Sequence, residues 1–163
     1  VHLTPGHVTS VLASKPLLLT QLADTRIGFS ASAVREIVRS VAIAPLSSAP
    51  AVIEGAINLR GAVIPVVDVR RRLGMPARAN TPDQFLVILE TSDRLIAVRV
   101  DDVADVVEVP AGDIETSAAL SPTLQQLAGV AATSDGALVI YDADAFLTQA
   151  ERAVLDERGI VTA

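Results

Sequence analysis

The sequence contains no cysteine and no tryptophan, and only three Phe and one Tyr among its 163 residues. Without cysteine there are no disulfides, thiolate metal ligands or cysteine nucleophiles. With so few rings, the core must be filled by Val, Ile, Leu and Ala, and the β-branched members of that set favour strands. Lysine is scarce as well: twelve Arg stand beside one Lys, and no basic run exceeds Arg70, Arg71 and Arg72. A formal net charge of −6 and the lack of stacking rings speak against nucleic acid as a partner; acidity of this size serves solubility. No apolar run reaches the roughly 18–20 residues of a membrane-spanning helix. The first fifteen residues lack the basic start and apolar stretch of a secretory signal. They hold the only two His, His2 and His7, and their Pro and Gly punctuation reads as a flexible tail over 1–15.

Half of the residues are apolar. They fall in short runs separated by turn signals, the pattern of small barrels or sandwiches. Strands are expected at 17–22, 26–30, 37–46, 62–69, 85–90, 94–100, 106–110 and 137–141. The run 62–69 is nearly all apolar, as in a strand buried on both faces, and Pro65 inside it points to an edge or a bulge. A helical turn at 70–73 is stopped by Gly74 and Pro76. In the polar excursion 111–128, Ser121 is placed to cap a short helix with Pro122 at its first position. Phe146, Leu147, Ala150, Val154 and Leu155 recur near the 3.6-residue period and predict a helix over 143–157, capped by Asp142 or Asp144. Residues 158–163 are left as a tail.

The chain also repeats itself. Ile27, Val34, Ile37 and Val38 match Ile96, Val103, Val106 and Val107 at a constant shift of 69. Gly55, Ile64, Val66 and Asp68 match Gly129, Leu138, Ile140 and Asp142 at a shift of 74. The extra residues fall in the polar excursion, where insertion costs little. Two tandem copies of one β unit follow, and superposing them should bring Val34 onto Val103 and Asp68 onto Asp142.

Gly55, Asn58, Leu59, Arg60 and Gly61, leading into Pro65, Val66, Val67 and Asp68, closely resemble the signature of the CheW-like family, a G-x-x-N-L-R-G segment followed by a P-V-V-D strand. Val34, Glu36 and Ile37 resemble that family's V-x-E-[IV] element. Val100, Asp101, Val103 and Val106 resemble its V-D-x-V-x-x-V segment, and Gly129, Val130 and 138–142 its closing strand. The resemblance implies a mainly β fold of two SH3-like five-stranded barrel lobes around a shared hydrophobic core, with a C-terminal helix. Within a domain over 16–157, lobe 1 is expected at about 16–80, lobe 2 at about 81–142 and the helix at about 143–157. It further implies a non-catalytic cytoplasmic adaptor at membrane-associated chemoreceptor arrays. Its partners would be the regulatory domain of the histidine kinase CheA and the cytoplasmic tip of methyl-accepting receptors. The rival readings are the same module within a larger kinase or a CheW–receiver fusion, and a small β-barrel ligand carrier.

Arg60 offers five donors in a planar fork, and two readings stand: a contact with receptor or kinase, or an inter-lobe brace. Asn58 is placed to order the turn and Gly61 to relieve its backbone. Val34 and Glu36 complete the expected protein-binding set; Glu36 is also readable as a solvated face residue or a cap. Arg99 stands where an apolar residue is common in the family, readable as a difference at the lobe surface, and Arg70–Arg72 as a solvated turn. Asp68 and Asp142, being equivalent, are expected to accept backbone N–H bonds at strand ends. Asp142 and Asp144 supply half a metal site without a third ligand. No G-x-S-x-G, P-loop or G-x-G-x-x-G occurs, so no enzyme activity, metal or other cofactor is expected.

Overall fold

The structure, a computed structural model, describes residues 14–116, 127–133 and 136–160. In the first half the β-branched runs form Ser14–Leu22 (β1), Thr25–Ser30 (β2), Val34–Arg39 (β3), Ile53–Leu59 (β4) and Ala62–Val67 (β5). In the second half they form Phe85–Glu90 (β6), Leu95–Val100 (β7), Asp102–Pro110 (β8), Ile114–Thr116 (β9), Leu127–Thr133 (β10) and Gly136–Tyr141 (β11). A single helical turn, Val69–Arg72 (α1), follows β5, and Gln149–Glu157 (α2) follows β11. Ser14 and Lys15 belong to β1 rather than to a tail. The rest of that expected tail, the helix at Ser121 and Pro122, and 161–163 lie outside the described residues.

The strands build two sheets, ordered β8-β1-β2-β11-β10-β9 and β3-β6-β7-β5-β4. The three-residue β9 is an addition to the first; the remaining five and five form the two SH3-like lobes. The internal repeat holds at the level of single residue pairs. Val66 and Val67 of β5 pair in parallel with Ala97 and Val98 of β7, and their equivalents Ile140 and Tyr141 pair with Gly28 and Phe29. Val34 lies opposite Leu89, as Val103 lies opposite Thr20. Both copies even carry the same irregularity, at Ile53/Gly55 and at Leu127/Gly129.

The sheets do not follow the expected division near residue 80. Each half gives its opening hairpin, β1–β2 or β6–β7, to the other half's sheet. The parallel pairings β2–β11 and β5–β7 join strands from opposite halves, so neither half completes a sheet alone. Pro65 lies in an interior strand, not at an edge. It tolerates the position because the β5–β7 ladder begins one residue later, at Val66, where an N–H is again available.

Three apolar clusters result. Ile57, Ile64, Val66, Leu86, Ile88 and Ala97 fill one barrel. The other is filled by Leu17, Val109, Ala131, Leu138 and Ile140, several of which are the repeat equivalents of the first set. Between the lobes a larger core joins Leu22, Ile27 and Phe29 to Val67, Val98, Leu89, Phe146 and Leu155. Three of the four aromatic rings meet there: Phe146 lies 5.9 Å from Phe29 and 5.3 Å from Tyr141. Full burial of such side chains stabilises by about 1.5–3 kcal/mol each, so the inter-lobe layer holds the hairpin exchange in place.

The C-terminal element is two pieces rather than one helix over 143–157. A 3-10 turn, Ala143–Phe146, is capped by Asp142, whose carboxylate accepts from the Asp144 N–H at 3.0 Å. The backbone is then extended at Leu147, and α2 starts afresh at Thr148, which forms a reciprocal capping box with Glu151. Phe146 and Leu155 both enter the shared core, which is why the apolar spacing ran across the break.

Candidate functional site

The segment 58–63 forms the tip of the β4–β5 hairpin. Leu59 pairs with Ala62, leaving Arg60 and Gly61 as a two-residue loop, with φ of +51° and +89°. Positive φ at both central residues is what a type I′ hairpin turn requires. Asn58 holds the loop from below: its Oδ1 accepts from the Gly61 N–H at 2.9 Å. Asn58 thus orders the turn and Gly61 relieves its backbone, as expected of them.

From this tip Arg60 reaches Glu36 on β3. Its Nη1 donates to one carboxylate oxygen at 3.0 Å and its Nη2 to the other, a two-point pairing. The hydrogen bonds from Arg60 hold the Glu36 carboxyl below its ordinary range, and the Glu36 carboxylate raises the guanidinium in return. The pair is not an inter-lobe brace, because both residues belong to the five-stranded sheet. The Arg60 side chain remains 70% exposed even while both ends of its fork hold Glu36.

Along β3, burial alternates strictly, with Val34, Glu36 and Val38 half-buried and Arg35, Ile37 and Arg39 exposed. Val34, opposite Leu89, packs against the shared core, while a bulge between Val34 and Glu36 sets Glu36 opposite Ile88, whose side chain belongs to the barrel cluster. The structure places Asn58, Arg60 and Gly61 on one hairpin and joins that hairpin to Glu36 of β3 through Arg60, while Val34 begins the same strand and packs on the inter-lobe core. It adds Val63, which lies opposite Asn58 in the hairpin and is 45% exposed. An apolar residue in a continuous apolar run gave no sign of facing solvent.

Behind this surface lies a polar node that sequence reasoning missed. Arg99 is not at the lobe surface. Its buried guanidinium forms an ion pair with Glu54 and donates to Gln84 Oε1 at 3.0 Å and the Arg78 carbonyl at 2.8 Å. Gln84 in turn donates to Asp101 at 2.9 Å. Asp101 lies in the step from β7 to β8. It accepts from Arg70 at 2.6 Å and from the Ala23 N–H at 2.7 Å, and forms an ion pair with Arg78 at 2.7 Å. Burial opposes its charge, but the bonds from Arg70, Ala23 and Gln84 outweigh it and hold the carboxyl well below the usual range. Ala23 turns β1 into β2, while Arg70 and Gln84 flank the other sheet, so the node ties the two lobes.

Nor is the Arg70–Arg72 run a solvated turn. Arg70 is buried on Asp101, and Arg72 pairs with Glu151 at 2.5 Å; only Arg71 is exposed. The signal for the node was Arg99 inside an otherwise apolar strand and Asp101 just past its end, where an unpaired charge is too costly to keep. Asp68 accepts from the Arg71 N–H at 3.1 Å, matching Asp142 at the equivalent strand end. Asp144 accepts from the Ser92 N–H at 2.7 Å. Among the described residues no group of three acidic or His side chains could hold a metal, and no helix is long and apolar enough to cross a membrane.

Known proteins resemble this chain in sequence and fold. The CheW-like domain model matches residues 16–151. The chain is 30% identical over 153 residues to the chemotaxis protein CheW of Rhizobium meliloti (strain 1021), covering 93% of this chain and 94% of that protein. It is 26% identical over 155 residues to the chemotaxis protein CheW of Klebsiella aerogenes, covering 94% and 93%. The crystal structure of the scaffolding protein TtCheW from Thermoanaerobacter tengcongensis superposes with a TM-score of 0.75 at 29% identity, covering 83% of this chain and 94% of that one. With its two exchanged lobes, its N-L-R-G hairpin and these matches over nearly its whole length, the chain belongs to the CheW-like family.

Proposed function

We propose that this chain is a non-catalytic adaptor that couples methyl-accepting chemoreceptors to the histidine kinase CheA, and that the surface of Arg60, Glu36 and Val63 makes a coupling contact. It works at the cytoplasmic face of membrane-associated receptor arrays. Chemistry belongs to the kinase; the adaptor fixes geometry. The observation that carries the site is the held but solvent-exposed side chain of Arg60. The type I′ turn and the Glu36 pair restrict the side chain, and its remaining N–H donors stay available. A pre-ordered Arg beside an exposed Val is the composition of a binding anchor, and little side-chain freedom is left to lose on binding.

Titration of the purified chain with the CheA regulatory domain, and separately with receptor signalling fragments, tests this. Arg60→Ala should weaken at least one of the two by roughly tenfold. Unchanged affinity for both would remove Arg60 from the site.

A further inference from the structure

On its way from α1 to β6 the chain crosses the inter-lobe node as a strap, residues 78–83, with neither helix nor strand. None of these residues is buried, so no apolar side chain holds the strap down. Two polar ones do. Arg78 pairs with Asp101 at 2.7 Å, and its carbonyl accepts from the buried Arg99 guanidinium at 2.8 Å. Asn80 grips the chain where it leaves β3: its Oδ1 accepts from the Ser40 hydroxyl, and its Nδ2 donates to the Val41 carbonyl at 2.7 Å. Gln84, fully buried, closes the strap. Its Oε1 accepts from the Thr81 N–H at 2.9 Å, and its backbone carbonyl accepts from the Ser40 N–H at 3.0 Å. The strap therefore joins Asp101, which also holds the β1–β2 turn at Ala23, to the end of the strand that carries Glu36. That strand, β3, is outermost in its sheet and pairs with β6 alone among the described strands. A segment held only by polar contacts opens at lower free energy than the strands beneath it, and an outer strand depends on what ties its ends.

We propose that the strap 78–83 is a latch with two states. Closed, it pins the exit of β3 to the inter-lobe node and keeps Glu36 where it orders Arg60. Open, it frees the end of β3 while both sheets stay intact, and Arg60 loses its fixed pose. A partner that takes the ordered Arg60 binds the closed state better and so draws the latch shut. By the same linkage, whatever loosens the strap from the node or from Ser40 weakens that partner. Asn80 and Arg78 are thus positioning residues, acting through Glu36 on a contact they do not make. The inference rests on the coupling site at Arg60 and names the element that regulates it.

Hydrogen exchange and a binding cycle on the full chain test it. The Thr81 and Gln84 amides should be protected at least about tenfold less than those of Val87 and Val98 in the interior strands β6 and β7. Equal protection of all four overturns the latch. Binding to the CheA regulatory domain and to receptor signalling fragments is then measured for Arg60→Ala, Asn80→Ala and the double variant. For the partner that Arg60→Ala weakens, Asn80→Ala should weaken binding roughly threefold, with the melting temperature nearly unchanged. The double variant should bind no worse than Arg60→Ala, because the latch acts only through Arg60. If Asn80→Ala melts early, Arg78→Ala takes its place, and Arg78→Lys, which still offers Asp101 a cation, should regain most of the loss. Full binding by Asn80→Ala beside a weakened Arg60→Ala overturns the latch and leaves the coupling site standing. Losses that simply add in the double variant do the same. Unchanged binding by Arg60→Ala removes the coupling site, and the latch with it.

Discussion

At Arg60 the backbone sits at φ +51°, in a region where side chains with a Cβ are strained, and the side chain is spent on a solvent-facing pair with Glu36. Nothing apolar is buried by it. Arg60→Ala should therefore leave the melting temperature nearly unchanged, as expected of an exposed substitution. Gly61 differs. Its φ of +89° strains any other residue, so Gly61→Val should cost about 1–2 kcal/mol, read from denaturant midpoints, while a Cβ there meets no neighbour. Gly55 is tighter still, since an added Cβ would lie 2.2 Å from the Ala44 carbonyl oxygen. Gly55→Ala should destabilise by more than Gly61→Val. The turn at Asn58, Arg60 and Gly61 was legible in the sequence because a turn motif names its residues by type. The ion pair between Arg60 and Glu36 was not, because it spans the sheet's curvature rather than any sequence spacing.

Among the elements, α2 is held chiefly through Arg94. That buried guanidinium donates to the Ile160 carbonyl at 3.1 Å and pairs with Asp156, while Arg152 returns to Asp93 and to the Asp144 carbonyl. Burial raises the Asp93 carboxyl, but hydrogen bonds from Arg152, Arg94 and Thr91 outweigh it and bring it to about 2. Arg94→Met keeps the apolar stem and removes the donors. Hydrogen bonds to charged groups contribute about 1.5–3 kcal/mol, so α2 should open first. Limited proteolysis should cut within 148–160 while β1–β8 stay intact; cleavage no faster than in the wild type would contradict this. The helix period was visible because Phe146 and Leu155 share a core. The break at Leu147 was not, because Thr148 with Glu151 makes an equally good start and only packing decides between them.

Across the whole molecule, tandem repetition was readable from two constant shifts, and the register reproduces it pair by pair. Hairpin exchange was not readable, since the same repeats fit lobes built from consecutive halves. Nor was the Asp101 node, whose members lie on separate strands and turns and come together only once the sheets are exchanged. Its folded-state pKa is depressed, so its stabilisation is complete above the unfolded value of 3.8 and drains away as pH falls below it. Asp101→Asn should cost about 2–4 kcal/mol at neutral pH, less than for a fully buried pair. It should also flatten the loss of stability between pH 4 and lower values, followed by urea unfolding against pH; an unaltered acid limb would rule out Asp101 as its source. The coupling role is tested most directly by receptor-dependent CheA autophosphorylation in reconstituted arrays, comparing wild type, Arg60→Ala and the exposed control Arg158→Ala at matched melting temperatures. Activation should be full with the wild type and Arg158→Ala and reduced severalfold with Arg60→Ala. Equal activation by all three, or none by the wild type, would contradict it.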